Sequence, residues 1–203
     1  MKRFDCLQIL SGKISADTLV VCNLQDTTYE WNSLRPSDAN LLRMGMALVT
    51  PIAFGLAKVL PNRKVISLDG DGSMIMGLGM LTTLANYKPP NLLVVIFDNE
   101  SYNSTGSSVA TVTAGVSDLS KLAIAAGCKN SVTVTDLVQF ERSLDQALKS
   151  DELWLIVAKT GKESQKVPRP TIDGQENKYR FVRLIEKQEQ IKILPEEEQK
   201  SFA

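Results

Sequence analysis

Two apolar runs that stop abruptly at small acidic and amide residues constrain this chain most. Val65–Ile66–Ser67–Leu68 gives way to Asp69–Gly70–Asp71–Gly72–Ser73, and Leu92–Leu93–Val94–Val95–Ile96–Phe97 gives way to Asp98–Asn99–Glu100–Ser101–Tyr102. A short continuous apolar run bounded by turn residues suits a strand buried on both faces. Open parallel sheets bind ligands outside the carboxyl ends of their strands. Asp71 and Asn99 are 28 positions apart, which leaves room for one crossover helix. Both side chains are therefore expected at neighbouring strand ends on one edge of a sheet.

The residue types at those ends suit a metal and a phosphate. A carboxylate and an amide oxygen are hard ligands for Mg²⁺, which takes few protein ligands and completes its shell with phosphate and water. Gly70 and Gly72 permit close approach of a ligand to the backbone. Ser73 opens an expected helix over Met74–Tyr87, whose first N–H groups favour an anion. The implied ligand is a Mg²⁺-bridged diphosphate.

Composition excludes several alternatives. The 203 residues suit one domain with a sizeable core, and 43% hydrophobic with 23% charged residues is ordinary for a soluble globular chain. The formal net charge of zero gives no electrostatic footprint for nucleic acid or an acidic membrane. No run approaches the ~20 apolar residues of a membrane span, and Met1–Lys2–Arg3 followed by Asp5 is not a signal peptide. Cys6, Cys22 and Cys128 form no CxxC pair and read as reduced, mostly buried thiols, which suits a cytoplasmic location. The chain has no histidine, which removes Ser-His-Asp and Cys-His catalysis and the commonest zinc ligand. An enzyme built on it needs a cofactor with its own reactive centre.

Along the chain, helices are expected over Phe4–Ile14, Met74–Tyr87, Ser117–Ala126, Leu137–Lys149 (capped by Thr135 or Asp136) and Asn177–Gln190. Strands are expected over Thr18–Cys22, Lys64–Leu68, Leu92–Phe97, Val132–Val134 and Leu153–Val157. Leu34–Asp38 is a break in which Ser37 or Asp38 suits an N-cap. Asn40–Leu60 is one long apolar stretch. Gly77–Leu78–Gly79 lies inside the expected helix and is no dinucleotide fingerprint. The alternation predicts an α/β fold: a parallel sheet flanked by helices on both faces. Beyond Lys159 the composition turns polar. The boundary divides residues 1–160, the ligand-binding domain, from 161–203, an extension whose one helix is either solvated or packed on a partner.

Gly70–Asp71–Gly72–Ser73 followed by Asn99–Glu100–Ser101–Tyr102 resembles the diphosphate-binding motif of thiamine diphosphate enzymes, in which Gly-Asp-Gly is answered about two dozen residues later by Asn. Glu100 departs from the small residues common at that position. The resemblance implies thiamine diphosphate and Mg²⁺ as cofactors. It makes Asp71, the Asn99 side chain and the Ser101 main-chain oxygen the metal ligands, with Ser73 and the Met74 N–H on the phosphate and Tyr102 beside them. It places Asn23–Leu24 near the diphosphate; the residues alone equally allow a turn that caps a strand. Met44–Gly45–Met46–Ala47 looks like the segment that grips the aminopyrimidine, with Met46 as the wedge that bends the cofactor. Plain core packing of Met46 stays open. A Gly commonly precedes and follows that wedge, whereas Ala47 follows here.

The run Asn99-x-x-Tyr102-x-Ser104–Thr105–Gly106 narrows the resemblance to the beta subunits of sulfopyruvate decarboxylases and the matching half of phosphonopyruvate decarboxylases. Those continue with Gly-Gln, where this chain has Ser107–Ser108. The implied activity is non-oxidative decarboxylation of a 2-oxo acid, such as sulfopyruvate, to an aldehyde and CO₂. The glutamate that activates the cofactor is then expected on a separate alpha-type subunit, in a hetero-oligomer. Glu30, in a loop near the first strand end, reads as surface. Two other readings stay open: another lyase or carboligase half of acetolactate synthase type, or a non-catalytic cofactor-binding scaffold subunit.

Overall fold

A computed structural model describes residues 1–103 and 109–194. The elements in chain order are α1 (Arg3–Lys13), β1 (Leu19–Asn23), α2 (Asp26–Leu34), β2 (Asn40–Met44), α3 (Val49–Val59), β3 (Val65–Gly70), α4 (Asp71–Met76), α5 (Met80–Tyr87), β4 (Leu92–Asp98), a 3₁₀ turn (Val112–Ala114), α6 (Leu119–Ala126), β5 (Asn130–Val134), α7 (Leu137–Lys149), β6 (Trp154–Lys159) and α8 (Gly174–Glu189). Among the described residues the sheet has six strands in the order β2-β1-β3-β4-β6-β5. Every pairing is parallel. This is the expected α/β architecture.

Strand pleating sorts the core into two layers. Val65, Leu92, Val94, Ile96, Leu155 and Val157 face the layer that includes α3, α5 and α6. Ile66, Leu68, Leu93, Val95, Phe97 and Ile156 face α1, α2 and α7. β4 is buried along its whole length. Each such Val, Leu, Ile or Phe contributes about 1.5–3 kcal/mol when fully buried, so the strands that carry the site are also the best anchored. All three cysteines are buried and unpaired. Among the described residues no helix is long and apolar enough to cross a membrane.

Several boundaries differ from the sequence expectation. The Asn40–Leu60 stretch divides into β2 and α3: Arg43 kinks the end of β2 at φ 62°, and Ala47 at φ 65° turns the chain between the two elements. Ser37 caps no helix; its Oγ accepts the Ala39 N–H at 3.1 Å ahead of β2. Residues 26–34, expected as loop, form α2, which buries Trp31; its indole N–H donates to Asn40 Oδ1 at 2.9 Å. The expected helix over Met74–Tyr87 starts earlier, at Asp71, and breaks at Gly77–Gly79. Gly77 passes so close to Ala47 that a Cβ there would lie 3.2 Å from the Ala47 Cβ. Asp136, of the two caps considered, accepts the Gln139 N–H and starts α7.

Glu30 is not on the surface. It is 1% exposed and forms a two-pronged ion pair with Arg3, Nε to Oε2 at 2.8 Å and Nη2 to Oε1 at 3.0 Å. Its Oε1 also accepts the Gln165 N–H at 2.8 Å, and Ser164 Oγ bridges Arg3 and Asp26. The polar stretch after β6 is thereby laced to α1 and α2. The last helix is not simply solvated either: Phe181 and Ile185 join the core, and α8 packs on β2 of its own chain. Asn177 docks it, accepting the Leu42 N–H at 2.8 Å and donating to Asn40 O at 2.9 Å.

Two stability measurements follow. Glu30→Ala leaves a guanidinium buried without its partner and should cost about 3–5 kcal/mol in urea unfolding, whereas Arg3→Met with Glu30→Leu should recover most of that loss. Asn177→Ala strands a strand N–H and carbonyl under α8 and should cost about 2 kcal/mol in the same assay.

Candidate diphosphate and metal site

The sheet order reverses between β1 and β3. From β1 the chain crosses through α2 to β2 on one side, while β3 pairs on the other side. Helices that leave these two strands cover opposite faces, so a cleft opens at their carboxyl ends. The cleft is lined by Asn23 and Leu24 from the end of β1, Met46 from the β2–α3 turn, Gly70, Asp71, Gly72 and Ser73 after β3, and Asn99, Ser101 and Tyr102 after β4. Three expected residues do not line it. Met44 and Met74 pack their side chains on the core, and Gly45 closes a turn by accepting the Leu48 N–H at 3.1 Å. The Ser104–Ser108 stretch, with the Ser107–Ser108 departure, lies outside the described residues.

The β3–β4 register pairs Gly70 with Phe97, which sets Asp71 beside Asp98. Asp71 is 3% exposed. Its Oδ2 accepts the Thr111 hydroxyl at 2.6 Å and lies 3.1 Å from Thr113 Oγ1. Burial raises its pKa, and the charge of Asp98 adds to that, against hydrogen bonds from Thr111, Thr113 and the Gly72 N–H. Asp98 has a cation: Lys159 Nζ lies 2.8 Å from its Oδ2. Burial works against the Lys159 charge, yet Asp98 and Glu100 hold its pKa above the ordinary value. Among the described residues no Lys, Arg or N-terminus forms an ion pair with Asp71.

Asn99 and Ser101 sit in a tight turn. The Ser101 N–H donates to Asn99 Oδ1 at 3.1 Å, and the Glu100 N–H to Asp98 Oδ1 at 3.1 Å. Glu100 has φ of 60°, a left-handed conformation that costs a side-chain-bearing residue about 1–2 kcal/mol. That is why small residues suit this position. Its carboxylate is tied down by Lys159 at 2.9 Å. Ala47, after the expected wedge, shows the same effect at φ of 65°, and its N–H donates to Ser73 Oγ at 3.0 Å.

Asp69, not among the expected site residues, supports the other side of the cleft through Asn23 and Gly70. It is buried, and its carboxylate takes the Thr50 hydroxyl at 2.7 Å, the Gly70 N–H at 2.9 Å and Asn23 Nδ2 at 3.4 Å. Burial raises its pKa, opposed first by a hydrogen bond from Ser73. Tyr102 lies against Gly72, where a Cβ would come within 2.6 Å of the ring Cδ1. Thr111, Thr113 and Lys159 lacked any sequence signal, since only the fold returns the chain to the strand ends.

The donor set fits a small hard cation. It offers one buried carboxylate without a counter-charge, one amide oxygen and one main-chain oxygen. Among the described residues no group of three or more His, Cys, Asp or Glu side chains is placed to hold a metal. Mg²⁺ bound through one or two carboxylates and substrate phosphates needs no such group.

A family model for the thiamine pyrophosphate enzyme, C-terminal TPP binding domain, matches residues 27–158. The sulfopyruvate decarboxylase subunit beta of Methanocaldococcus jannaschii is 32% identical over 187 residues, covering 92% of this chain and 98% of that protein. The phosphonopyruvate decarboxylase of Streptomyces viridochromogenes is 31% identical over 150 residues, covering 73% of this chain and 37% of that one. In three dimensions the chain is similar to benzoylformate decarboxylase from Polynucleobacter necessarius, with a TM-score of 0.69 at 18% identity over 82% of this chain and 34% of that one. With that fold, that cleft, a family model over residues 27–158 and a relative matched over 98% of its length, the chain belongs to the thiamine pyrophosphate enzymes, as a C-terminal TPP binding domain.

Proposed function

We propose that this chain is the diphosphate-binding beta half of a thiamine diphosphate- and Mg²⁺-dependent decarboxylase, acting on sulfopyruvate or a close 2-oxo acid with an anionic tail. One observation carries the metal part: Asp71 is buried at the switch point of the sheet, lines the same cleft as Asn99 and has no cation among the described residues. Asp71, Asn99 Oδ1 and the Ser101 carbonyl would hold Mg²⁺. The main-chain N–H groups of Ser73 and Met74 meet the diphosphate. Met46, which lines the cleft just ahead of the left-handed Ala47, would be the wedge that bends the cofactor. Tyr102 and Gly72 pack together at the cleft and would shield a bound diphosphate from water. When bound, thiamine diphosphate supplies the nucleophilic carbon and the electron sink for loss of CO₂.

The activating glutamate comes from a partner of alpha type. Glu30 is locked in its pair with Arg3, and Glu100 is held by Lys159, so neither is available for the pyrimidine. Matching 98% of a protein named as a beta subunit supports the same division. The balanced charge, the absence of a long apolar helix among the described residues and the reduced thiols favour the cytoplasm.

Calorimetric titration tests the reading. Thiamine diphosphate should bind with Mg²⁺, fail to bind after chelation and lose at least about tenfold in affinity in Asp71→Ala. Binding that ignores both Mg²⁺ and Asp71 would overturn the assignment. Gly72→Ala should weaken binding by pushing Tyr102 away, with little change in melting temperature. Mixed with its alpha-type subunit, the chain should convert sulfopyruvate to sulfoacetaldehyde and CO₂; alone it should turn over none. A carbon–carbon ligation product instead would move the protein to the carboligases.

A further inference from the structure

The two halves of the metal set hang from different strands. Asp71 follows β3, whereas Asn99 and Ser101 follow β4. Their separation depends on what lies between them. The chain from Val109 to Thr113 crosses both strand ends as a strap: Val109 O accepts the Tyr102 N–H at 2.7 Å, Ala110 bridges Ser101, and the Thr111 N–H donates to Glu100 O at 3.2 Å. Thr113 Oγ1 touches both sides, at 2.8 Å from Asp98 Oδ1 and 3.1 Å from Asp71 Oδ2. Lys159, at the end of β6, grips the same pieces from outside. Its Nζ is 2.8 Å from Asp98 Oδ2, 2.9 Å from Glu100 Oε1 and 3.5 Å from Thr113 O.

We infer that Thr113 and Lys159 are positioning residues that hold Asp71 and the Asn99–Ser101 turn at a spacing suited to a small octahedral cation, and so set which divalent ion the site accepts. The inference rests on the metal reading above. Among the described residues Thr113 is the one hydroxyl in contact with both carboxylates, and Lys159 neutralises the carboxylate beside Asp71. Without the hydroxyl the two halves lose their bridge. Without the ammonium, two buried carboxylates repel across the gap. Either change opens the site. Mg²⁺ demands near-ideal geometry at roughly 2.0–2.1 Å, whereas Ca²⁺ accepts roughly 2.3–2.6 Å and irregular shells. Opening therefore penalises Mg²⁺ more than Ca²⁺.

The experiment is calorimetric titration of thiamine diphosphate into the full chain with its alpha-type subunit, in Mg²⁺ and separately in Ca²⁺. Thr113→Val and Lys159→Met should each lower Mg²⁺-supported affinity by ~10- to 100-fold, the usual range for partners of metal ligands. Ca²⁺-supported affinity should fall much less, and Thr113→Ser should restore the wild-type ratio of the two. The melting temperature of the cofactor-free protein monitors folding. Lys159 is partly exposed, so Lys159→Met gives the answer even where Thr113→Val does not fold. Equal losses in both ions, or unchanged affinities, would overturn the positioning role while leaving the cofactor reading intact. A wild-type complex that binds no thiamine diphosphate with any divalent ion would overturn both.

Discussion

A carboxylate taken out of water beside another carboxylate is costly unless something positive meets it. Asp71 is in that position, and most of the site is arranged around it. The β3–β4 register forces Asp71 and Asp98 together, Lys159 settles the charge of one, and two threonine hydroxyls partly satisfy the other. On the proposed function, a divalent cation would complete the balance. The arrangement also explains why so few side chains suffice. The scaffold supplies burial and orientation, and in the proposed complex a diphosphate would supply the remaining oxygens.

What the sequence revealed and what it hid separate along physical lines. Apolar runs that end in Asp-Gly and Asp-Asn announce buried strands and their ligand-bearing ends, because period and turn chemistry are local. The cleft accordingly gathers Asn23, Met46, Asp71, Asn99 and Tyr102 as expected. β2 was hidden because Asn40–Leu60 is mostly apolar, and the left-handed turn at Ala47 falls between the strand and α3. Glu30 was misread because burial of a charge depends on its partner, and Arg3 lies 27 positions away. Thr111, Thr113 and Lys159 were unreadable for the same reason, since their role exists only once β6 and the strap reach the end of β4.

The departures at Glu100 and Ala47 belong together. Each places a side chain at positive φ where glycine would be relaxed, and each is held by a partner, Lys159 in one case and Ser73 in the other. Strain of about 1–3 kcal/mol persists at such sites only where neighbours over-determine the conformation. Here the neighbours are the residues that shape the cleft, so local rigidity and ligand geometry have the same origin. The Arg3–Glu30 pair acts similarly at the rim, binding α1, α2 and the chain after β6 into one wall.

Asn177 has a consequence for how copies of this protein behave in a crowded solution. β2 is an edge strand, and an edge presents unpaired N–H and C=O groups on which a foreign strand can grow. The side-chain amide of Asn177 fills two of those positions, at Leu42 and Asn40, as a neighbouring strand would. The helix therefore works as a stopper: it ends the hydrogen-bond ladder from within the same chain and denies that side of the sheet to runaway polymerisation.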